Sequence, residues 1–330
     1  KDIEIKKFCL DNFIDKGFPN RKEEDWKFSD LNQIIKNNIG ELSFYNDQTS
    51  TNKVDTSVFV DGLEHNKIVF INGRIEKIEF NYEDEDKIEI LDEIELKEKY
   101  DFENSLIDLN NAFTNKYYKI VVKENYSLKK PLIIYHSTNE NLQLKNINLR
   151  LDFLLKKNSC LKLIDISNDL SEKNFINTLY NFELNQDSNL KNYKIDQKIN
   201  NNIKYSFNNI DQDINSVSET FILSSGSNFI KNEINCNLNG KYASAFINAI
   251  FSLSEKRHHE IRTSINHLID NTKSYQLIKS VLENESKSVY QGKIFVNSDA
   301  QKTDGYQLSK AILLSENAEF NAKPELEIYA

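Results

Sequence analysis

Three of the chain's five histidines lie close together in the sequence, at His258, His259 and His267. Imidazole is a common metal ligand and an acid–base group near neutral pH. The segment from His259 reads His-Glu-Ile-Arg-Thr, so Thr263 stands where an HExxH zinc motif has its second histidine. The surrounding pattern is that of a strand, on which residues four apart do not converge as they do on a helix. We therefore exclude this zinc motif.

A metal site that uses His258 and His267 remains one hypothesis for this region. The alternative is that these histidines make structural or surface hydrogen bonds. His259 and His267 have the same parity, so they share one face of the strand if it runs unbroken. Glu325 and Glu327 also share a strand face and could form an acid–base pair, although a charged, solvent-facing surface explains them as well.

Other residues that could do chemistry give no motif. Cys9, Cys160 and Cys236 are too far apart for a CxxC metal site or a disulfide framework. We expect Cys160 and Cys236 to be unreactive thiols inside strands. No glycines are spaced for a nucleotide-binding loop, and there is no G-x-S-x-G sequence, so enzymes of these classes are excluded.

The composition limits the compartment and the partners. The 330 residues carry a formal net charge of -9 at pH 7, which excludes nucleic acid and anionic membranes as partners. No apolar run approaches the roughly 18 residues of a membrane span, and no secretory core is visible. We expect a cytoplasmic protein. The chain contains no methionine, which predicts that the sequence is a fragment.

Residues 1–66 are predicted to form a helical N-terminal region and a linker. Apolar residues at helical spacing predict a first helix that stops at Gly17. A second helix is predicted to begin near Glu23. Residues 45–57 are polar and unpatterned, which is typical of a long loop.

Residues 67–118 are predicted to lead into the core. Two alternating runs flank Asn72-Gly73, the strongest short signal for a β-hairpin. The acid-rich stretch over residues 82–103 predicts a solvated connection. Residues 101–113 predict a short amphipathic helix.

Residues 119–330 are predicted to form the core, because short strands follow one another without a long helix. The joints between strands resemble each other at irregular spacing, which favours successive rungs of a solenoid over a sandwich. This pattern alone does not distinguish a β-helix from another large all-β fold. Only 8 glycines serve these turns, so asparagine is expected to form many of the corners.

Two blocks of sequence carry a family resemblance. Residues 17–31 read GFPNRKEEDWKFSDL, and the C-terminal part contains HHEIRTSINH, then AQKTDGYQ, and ends in AKPELEIYA. These blocks resemble the SufB/SufD family of iron-sulfur cluster assembly proteins, and the likeness covers nearly the whole chain. Lys302-Thr303-Asp304 and the motif around Trp26 favour the SufD type over the SufB type.

The resemblance implies a mainly β fold: a right-handed parallel β-helix with an α-helical N-terminal region, and with the family's C-terminal helical domain missing. It also implies a scaffold subunit of the SUF system that is not an enzyme. Such a subunit pairs with a SufB-like subunit through the β-helix and with a SufC-like ATPase through the missing domain. The iron-sulfur cluster belongs to the assembled complex, and no cofactor is expected on this fragment.

The ending of the chain departs from the family pattern. In the family, the residues that match the end of this chain are followed by a segment with Cys and His, so we expect truncation at Ala330 and a cofactor-binding segment after it. Of the family's polar positions, His258, Glu260 (usually Asp) and His267 carry over without an assigned role. The family's glycine within the segment that corresponds to residues 112–122 is absent here.

Two other functions and one further contact stay open. The chain could be a SufB-like scaffold that bears the cluster. It could also be a β-helix carbohydrate-active enzyme, which needs convergent carboxylates in a groove, often with Ca²⁺. Homodimerisation through residues 290–330 is a further expectation, because a solenoid end offers unpaired strand edges.

Overall fold

The computed structural model describes residues 2–44, 60–92, 104–114 and 117–330. It is mainly β, with 53% of residues in strands and 11% in helices. Residues 45–57, predicted as a loop, lie outside the described residues, as do residues 93–103 of the acid-rich stretch.

The N-terminal region contains two helices and one 3₁₀ turn. α1 (Asp2–Lys16) ends where Gly17 adopts a φ of +72° and donates to the carbonyl of Phe13, as predicted. The second helix was expected too early, because only a 3₁₀ turn (Glu24–Trp26) forms there. α2 (Leu31–Asn38) begins after Asp30, whose carboxylate accepts a hydrogen bond from the Gln33 amide at 2.9 Å. The third helix, α3 (Ser105–Phe113), lies within residues 101–113, where a helix was predicted.

The described residues contain nineteen strands. In chain order they are β1 (Ser43–Phe44), β2 (Asn66–Ile71), β3 (Arg74–Glu79), β4 (Ile88–Leu91), β5 (Tyr118–Val122), β6 (Leu132–Ser137), β7 (Lys145–Leu155), β8 (Cys160–Ser167), β9 (Phe175–Leu184), β10 (Asn189–Asp196), β11 (Asn200–Gln212), β12 (Val217–Ser224), β13 (Ser227–Leu238), β14 (Ser244–Leu253), β15 (His258–His267), β16 (Lys273–Leu282), β17 (Lys287–Val296), β18 (Asp304–Leu313) and β19 (Glu319–Ile328).

The strands form two long sheets. Sheet A has the order β19-β17-β15-β13-β11-β9-β7-β5-β4, and sheet B has the order β18-β16-β14-β12-β10-β8-β6-β2-β3. From β5 onward the chain alternates between the sheets, and each strand pairs in parallel with the strand one coil away. The result is a β-solenoid of about 7 turns. The predicted parallel solenoid is thus confirmed.

The hairpin at the start of sheet B is also confirmed. β2 and β3 pair in antiparallel fashion across Asn72 and Gly73, whose φ angles are +51° and +81°. β2 pairs in parallel with β6, so the hairpin extends sheet B. The described part of the acid-rich stretch contains β4, which pairs with β5, so this stretch is more than a solvated connection. The predicted domain boundaries stay predictions.

Side chains alternate between the interior of the solenoid and its outer faces. The interior holds most of the apolar core, and Cys236 is fully buried in it. Cys160 is half-buried, and burial raises the pKa of both thiols, as expected for unreactive cysteines. No helix in the described residues is long and apolar enough to span a membrane.

The coils differ in length, which explains the weak repeat in the sequence. Val217 pairs with Ser244, whereas Lys273 pairs with Asp304, so neighbouring coils contain different numbers of residues. Asparagine takes the positive φ that many corners need, as predicted. It does so at Asn72, Asn125, Asn158, Asn215, Asn271 and Asn284.

The N-terminal region covers the outer face of sheet A. Leu31 and Ile35 of α2 and Leu106 of α3 pack with outward-facing aromatic residues of the sheet, such as Phe175 and Phe229. The side-chain amide of Asn110 on α3 also donates to the carbonyls of Leu149 and Asn177, each at 2.9 Å. This cover makes sheet A buried on both faces near β9, β11 and β13.

Candidate functional site

The structure does not bring His258 and His267 together. They are the first and last residues of β15, an unbroken strand. At a rise of about 3.3 Å per residue, their backbones lie roughly 30 Å apart. One ion within this chain cannot be bound by both, so the predicted shared site does not form. His259 and His267 share the face of β15 that points into the solenoid, as their parity predicted.

His267 is fully buried and uses both ring nitrogens in hydrogen bonds. Thr272 donates to the Ile269 carbonyl, so its hydroxyl oxygen accepts from His267 Nδ1 at 2.7 Å. His267 Nε2 lies 2.9 Å from the hydroxyl of Ser274, which then donates to it. Burial lowers the pKa of His267 to about 4, so the ring is neutral near pH 7.

His259 lies at the other end of β15 and is buried in the same way. Its Nε2 donates to the Ser227 carbonyl at 2.7 Å, and its Nδ1 accepts from the Ser224 hydroxyl at 2.8 Å. Burial lowers the pKa of His259 to about 4. Both interior histidines therefore serve as neutral structural groups, which is the alternative that the sequence left open.

His258 lies on the opposite face of β15, beside a buried ion pair. Its Nε2 is 2.8 Å from Oε1 of Glu260, while Oε2 of Glu260 accepts from the Lys231 ammonium at 2.9 Å. The side chains of Lys231 and Glu260 are 0% and 1% exposed. Burial by itself raises the pKa of Glu260, but the charge of Lys231 and the contact with His258 outweigh it and hold this pKa well below its usual range.

The segment around Trp26 covers this ion pair. The Lys231 ammonium lies 4.3 Å from the centroid of the Trp26 ring and donates to the Asp25 carbonyl at 2.6 Å. The guanidinium of Arg262 is 2.7 Å from the Asp25 carboxylate. The N-terminal motif thus covers a group of charged side chains that come from β13 and β15.

Glu233 completes what we call the ionic cluster: Lys231, Glu233, His258, Glu260 and Arg262. The carboxylate of Glu233 accepts from the Tyr205 hydroxyl at 3.1 Å and lies 3.9 Å from Lys231 and from Arg262. Burial raises the pKa of Glu233, and the two cations offset this only in part.

The ionic cluster is built to hold the N-terminal segment on sheet A. Two cations and two carboxylates are matched in charge, and one wall is the Trp26 ring. Within the described residues, no group of three or more His, Cys, Asp and Glu side chains is placed to hold a metal ion. The arrangement therefore favours a structural role for Glu260 and His258.

A second set of charges lies inside the solenoid. We call it the lumen cluster: His136, Asp165, Asp169, Tyr180, Lys194, Asp196 and Lys204. The Lys204 ammonium lies 2.6 Å from Asp169 and 2.6 Å from Asp196. Burial alone lowers the pKa of Lys204, but the two carboxylates raise it above its usual range. The cavity beside Lys204 measures about 40 Å³, room for one or two water molecules.

The other members pair with each other in the lumen. His136 Nε2 lies 3.0 Å from Asp165 and 2.8 Å from the Tyr180 hydroxyl. Lys194 stands next to Asp165 in register and donates to Ser206 at 2.5 Å. These pairs join β6, β8, β9, β10 and β11, so the cluster fixes how these coils stack.

The model of the family "SUF system FeS cluster assembly, SufBD core domain" matches residues 136–330. The chain belongs to this family. The chain is also similar to the iron-sulfur cluster assembly protein SufD of Escherichia coli (strain K12), with 23% identity over 97% of this chain and 76% of that protein. The predicted resemblance to the SufB/SufD family, and to the SufD type within it, is confirmed.

The SufBD core match begins at His136 of the lumen cluster and contains all residues of both clusters. Sequence reasoning identified His258 and Glu260 but missed their partner Lys231, and it missed the lumen cluster completely. A signal was present, because Asp165 is a charged residue at an interior position of β8, whose other interior positions include Leu161 and Leu163. The pairing of Asp165 needs the register between coils, which the weak repeat does not give.

Proposed function

We propose that this chain is a SufD-like scaffold subunit that pairs with a SufB-like subunit and a SufC-like ATPase in cytoplasmic iron-sulfur cluster assembly. A role in this assembly follows from membership of the SufBD family and from the similarity to SufD. The three unpaired cysteines are consistent with a reducing compartment.

The family match is the observation that supports the pairing with a SufB-like subunit: the SufBD core model covers residues 136–330 of the parallel solenoid, and the chain is similar to SufD. We further propose that the chain has no catalytic activity and that the cluster is cargo of the whole assembly rather than a cofactor of residues 1–330.

Co-expression with the SufB-like and SufC-like proteins of the same organism tests the assembly. The chain should co-purify with the SufB-like subunit, and recovery of the chain alone, with neither subunit retained, would refute the scaffold function.

A turnover assay tests the proposal that the chain is not a catalyst. The purified chain should show no turnover on β-linked or α-linked polysaccharides, and iron and sulfide should accumulate only in samples that contain all subunits. Polysaccharide cleavage that is lost in a charge variant of a groove residue would favour the carbohydrate-active alternative.

A further inference from the structure

The outer face of sheet B carries rows of apolar side chains, interspersed with polar ones, over five consecutive strands. This face consists of the outward-pointing residues of β10, β12, β14, β16 and β18. Phe246, Tyr275 and Tyr306 form one row in register, and the rings of Tyr275 and Tyr306 stack at 4.9 Å with an angle of 13°. Tyr193 and Phe221 begin a neighbouring row, which passes through Asn248 and continues in Leu277 and Leu308.

These side chains are accessible. Tyr193, Ile250, Tyr275 and Tyr306 are 38%, 38%, 37% and 45% exposed. On sheet A, the outward-facing residues Tyr205 of β11 and Phe229 of β13 are 1% and 2% exposed, because the N-terminal region covers them. Within the described residues, no helix packs on the outer face of sheet B. Contiguous apolar surface of this kind marks a protein interaction site.

The size of the face matches a stable interface. Five strands at about 4.8 Å spacing and about eight residues at roughly 3.3 Å rise give an area near 600 Å². A standard protein interface buries about 800 Å² on each partner, so this face plus its rim is sufficient. The parallel sheet is rigid, so little conformational entropy is lost when it binds.

The charges on the face select the partner. Lys191 and Glu219 form an ion pair at 3.2 Å, and Lys273 is next to Asp304 in register. Lys279 and Lys310 are also neighbours in register, and neither forms an ion pair within the described residues. The face therefore has a net positive charge in a chain of net charge -9. Two copies that met through this face would each present a positive surface, which disfavours self-association.

We propose that the outer face of sheet B binds a different protein, whose contact surface has apolar side chains at its centre and carboxylates at its rim. Aromatic rows supply the buried centre of the contact, as tyrosine and phenylalanine do in most interfaces. Lys279 and Lys310 supply the complementary charge. The face runs along the side of the solenoid from β10 to β18, and binding of this partner is measured separately from binding of a SufB-like subunit.

Photo-cross-linking in cells of the source organism identifies the occupant. p-Benzoylphenylalanine is placed at position 275, and in a control at position 82, because Tyr82 has a similar exposure of 39% but lies outside sheet B. The captured protein is then purified and titrated against the purified wild-type chain. The expected occupant is an acidic protein that cross-links from position 275 and not from position 82.

Charge variants then decide whether the face itself binds. Lys279→Glu with Lys310→Glu should weaken binding of the purified partner at least tenfold, and Tyr275→Ser with Tyr306→Ser should do the same without a charge change. Lys7→Glu with Lys22→Glu is the control, since it changes the net charge equally at exposed N-terminal positions. Circular dichroism checks the fold, and unchanged binding to the SufB-like subunit shows that the proposed assembly is intact.

Several results would overturn the proposal. They are a cross-link only to lipid, to nucleic acid or to a second copy of this chain, an equal yield from positions 82 and 275, no cross-link at all, or a partner without an acidic surface. Binding of the purified partner that changes less than twofold in both double variants would overturn it as well.

Discussion

The ammonium of Lys231 on β13 lies 4.3 Å from the centroid of the Trp26 ring, which joins the N-terminal motif to the middle of the solenoid. The contact is dry, because Lys231 and Trp26 are 0% and 2% exposed. A cation over an aromatic face is attracted by the ring quadrupole, most strongly where water is excluded. This contact and the Asp25 carbonyl explain how a short segment without regular helix is held on sheet A.

Replacing Trp26 should release the N-terminal segment. Trp26→Ala removes both the ring over Lys231 and the apolar packing against α2, which we expect to cost about 3 to 5 kcal/mol. Limited proteolysis should then cut between residues 17 and 44 faster, while the solenoid stays folded by circular dichroism. Trp26→Phe keeps an aromatic face and should be cut at an intermediate rate. Equal rates for all three chains would contradict the role of the ring.

Removing the charge of Lys231 should destabilise the protein strongly. In Lys231→Met the carboxylate of Glu260 stays buried without its ammonium partner, and breaking such a pair costs about 3 to 5 kcal/mol of unfolding free energy. The double variant Lys231→Met with Glu260→Gln removes both charges and should recover most of this loss. Urea denaturation of the wild type, the two single variants Lys231→Met and Glu260→Gln, and the double variant measures the coupling. Strictly additive losses of unfolding free energy would show that the pair is not coupled.

Local features of this fold could be predicted from sequence, and contacts between coils could not. The turn at Asn72 and Gly73 and the end of α1 at Gly17 depend on residues a few positions apart, so their patterns are visible directly. Trp26 was recognised as part of a family motif. Its position over Lys231 was not predictable, because it depends on how a nonhelical segment crosses the solenoid.

The histidines show the same limit. Parity placed His259 and His267 on one face correctly, but only the unbroken length of β15 shows that His258 and His267 are at opposite ends. The partners of the interior histidines, Ser224 and Ser274, come from sheet B across the lumen. No spacing along the chain indicates a contact across the solenoid, so the distinction between ligand and structural group needed the fold.

The two interior histidines should make the protein sensitive to mild acid. Each has a folded-state pKa of about 4, below the ordinary 6.5, so the unfolded chain binds more protons between these values. Their stability contribution is complete above pH 6.5 and is lost as the pH falls toward 4. Each histidine should cost about 2 kcal/mol between pH 7.5 and pH 5.

Variants of these histidines separate their effect from that of other titrating groups. His267→Asn keeps a donor toward Thr272, and His259→Gln keeps a donor toward the Ser227 carbonyl. Either change should reduce the pH dependence of unfolding free energy by about 2 kcal/mol over this range, as measured by urea denaturation at both pH values. An unchanged slope in both variants would show that the rings are already protonated in the folded state.

Replacement of two glycines of the solenoid by alanine should affect stability to different extents. A Cβ at Gly240 would overlap backbone atoms of Asp213 and Ile214 in the corner of the preceding coil, which cannot move without breaking the stack. A Cβ at Gly305, in the AQKTDGYQ block, would stand 3.5 Å from Ile294, an ordinary contact. Gly240→Ala should therefore lower the unfolding free energy by roughly 2 to 3 kcal/mol, and Gly305→Ala should change it by less than about 0.5 kcal/mol.

Thermal or urea unfolding of the two variants measures this difference. A tolerated Gly240→Ala would mean that neighbouring coils can shift apart, which is incompatible with the tight corner at Asp213.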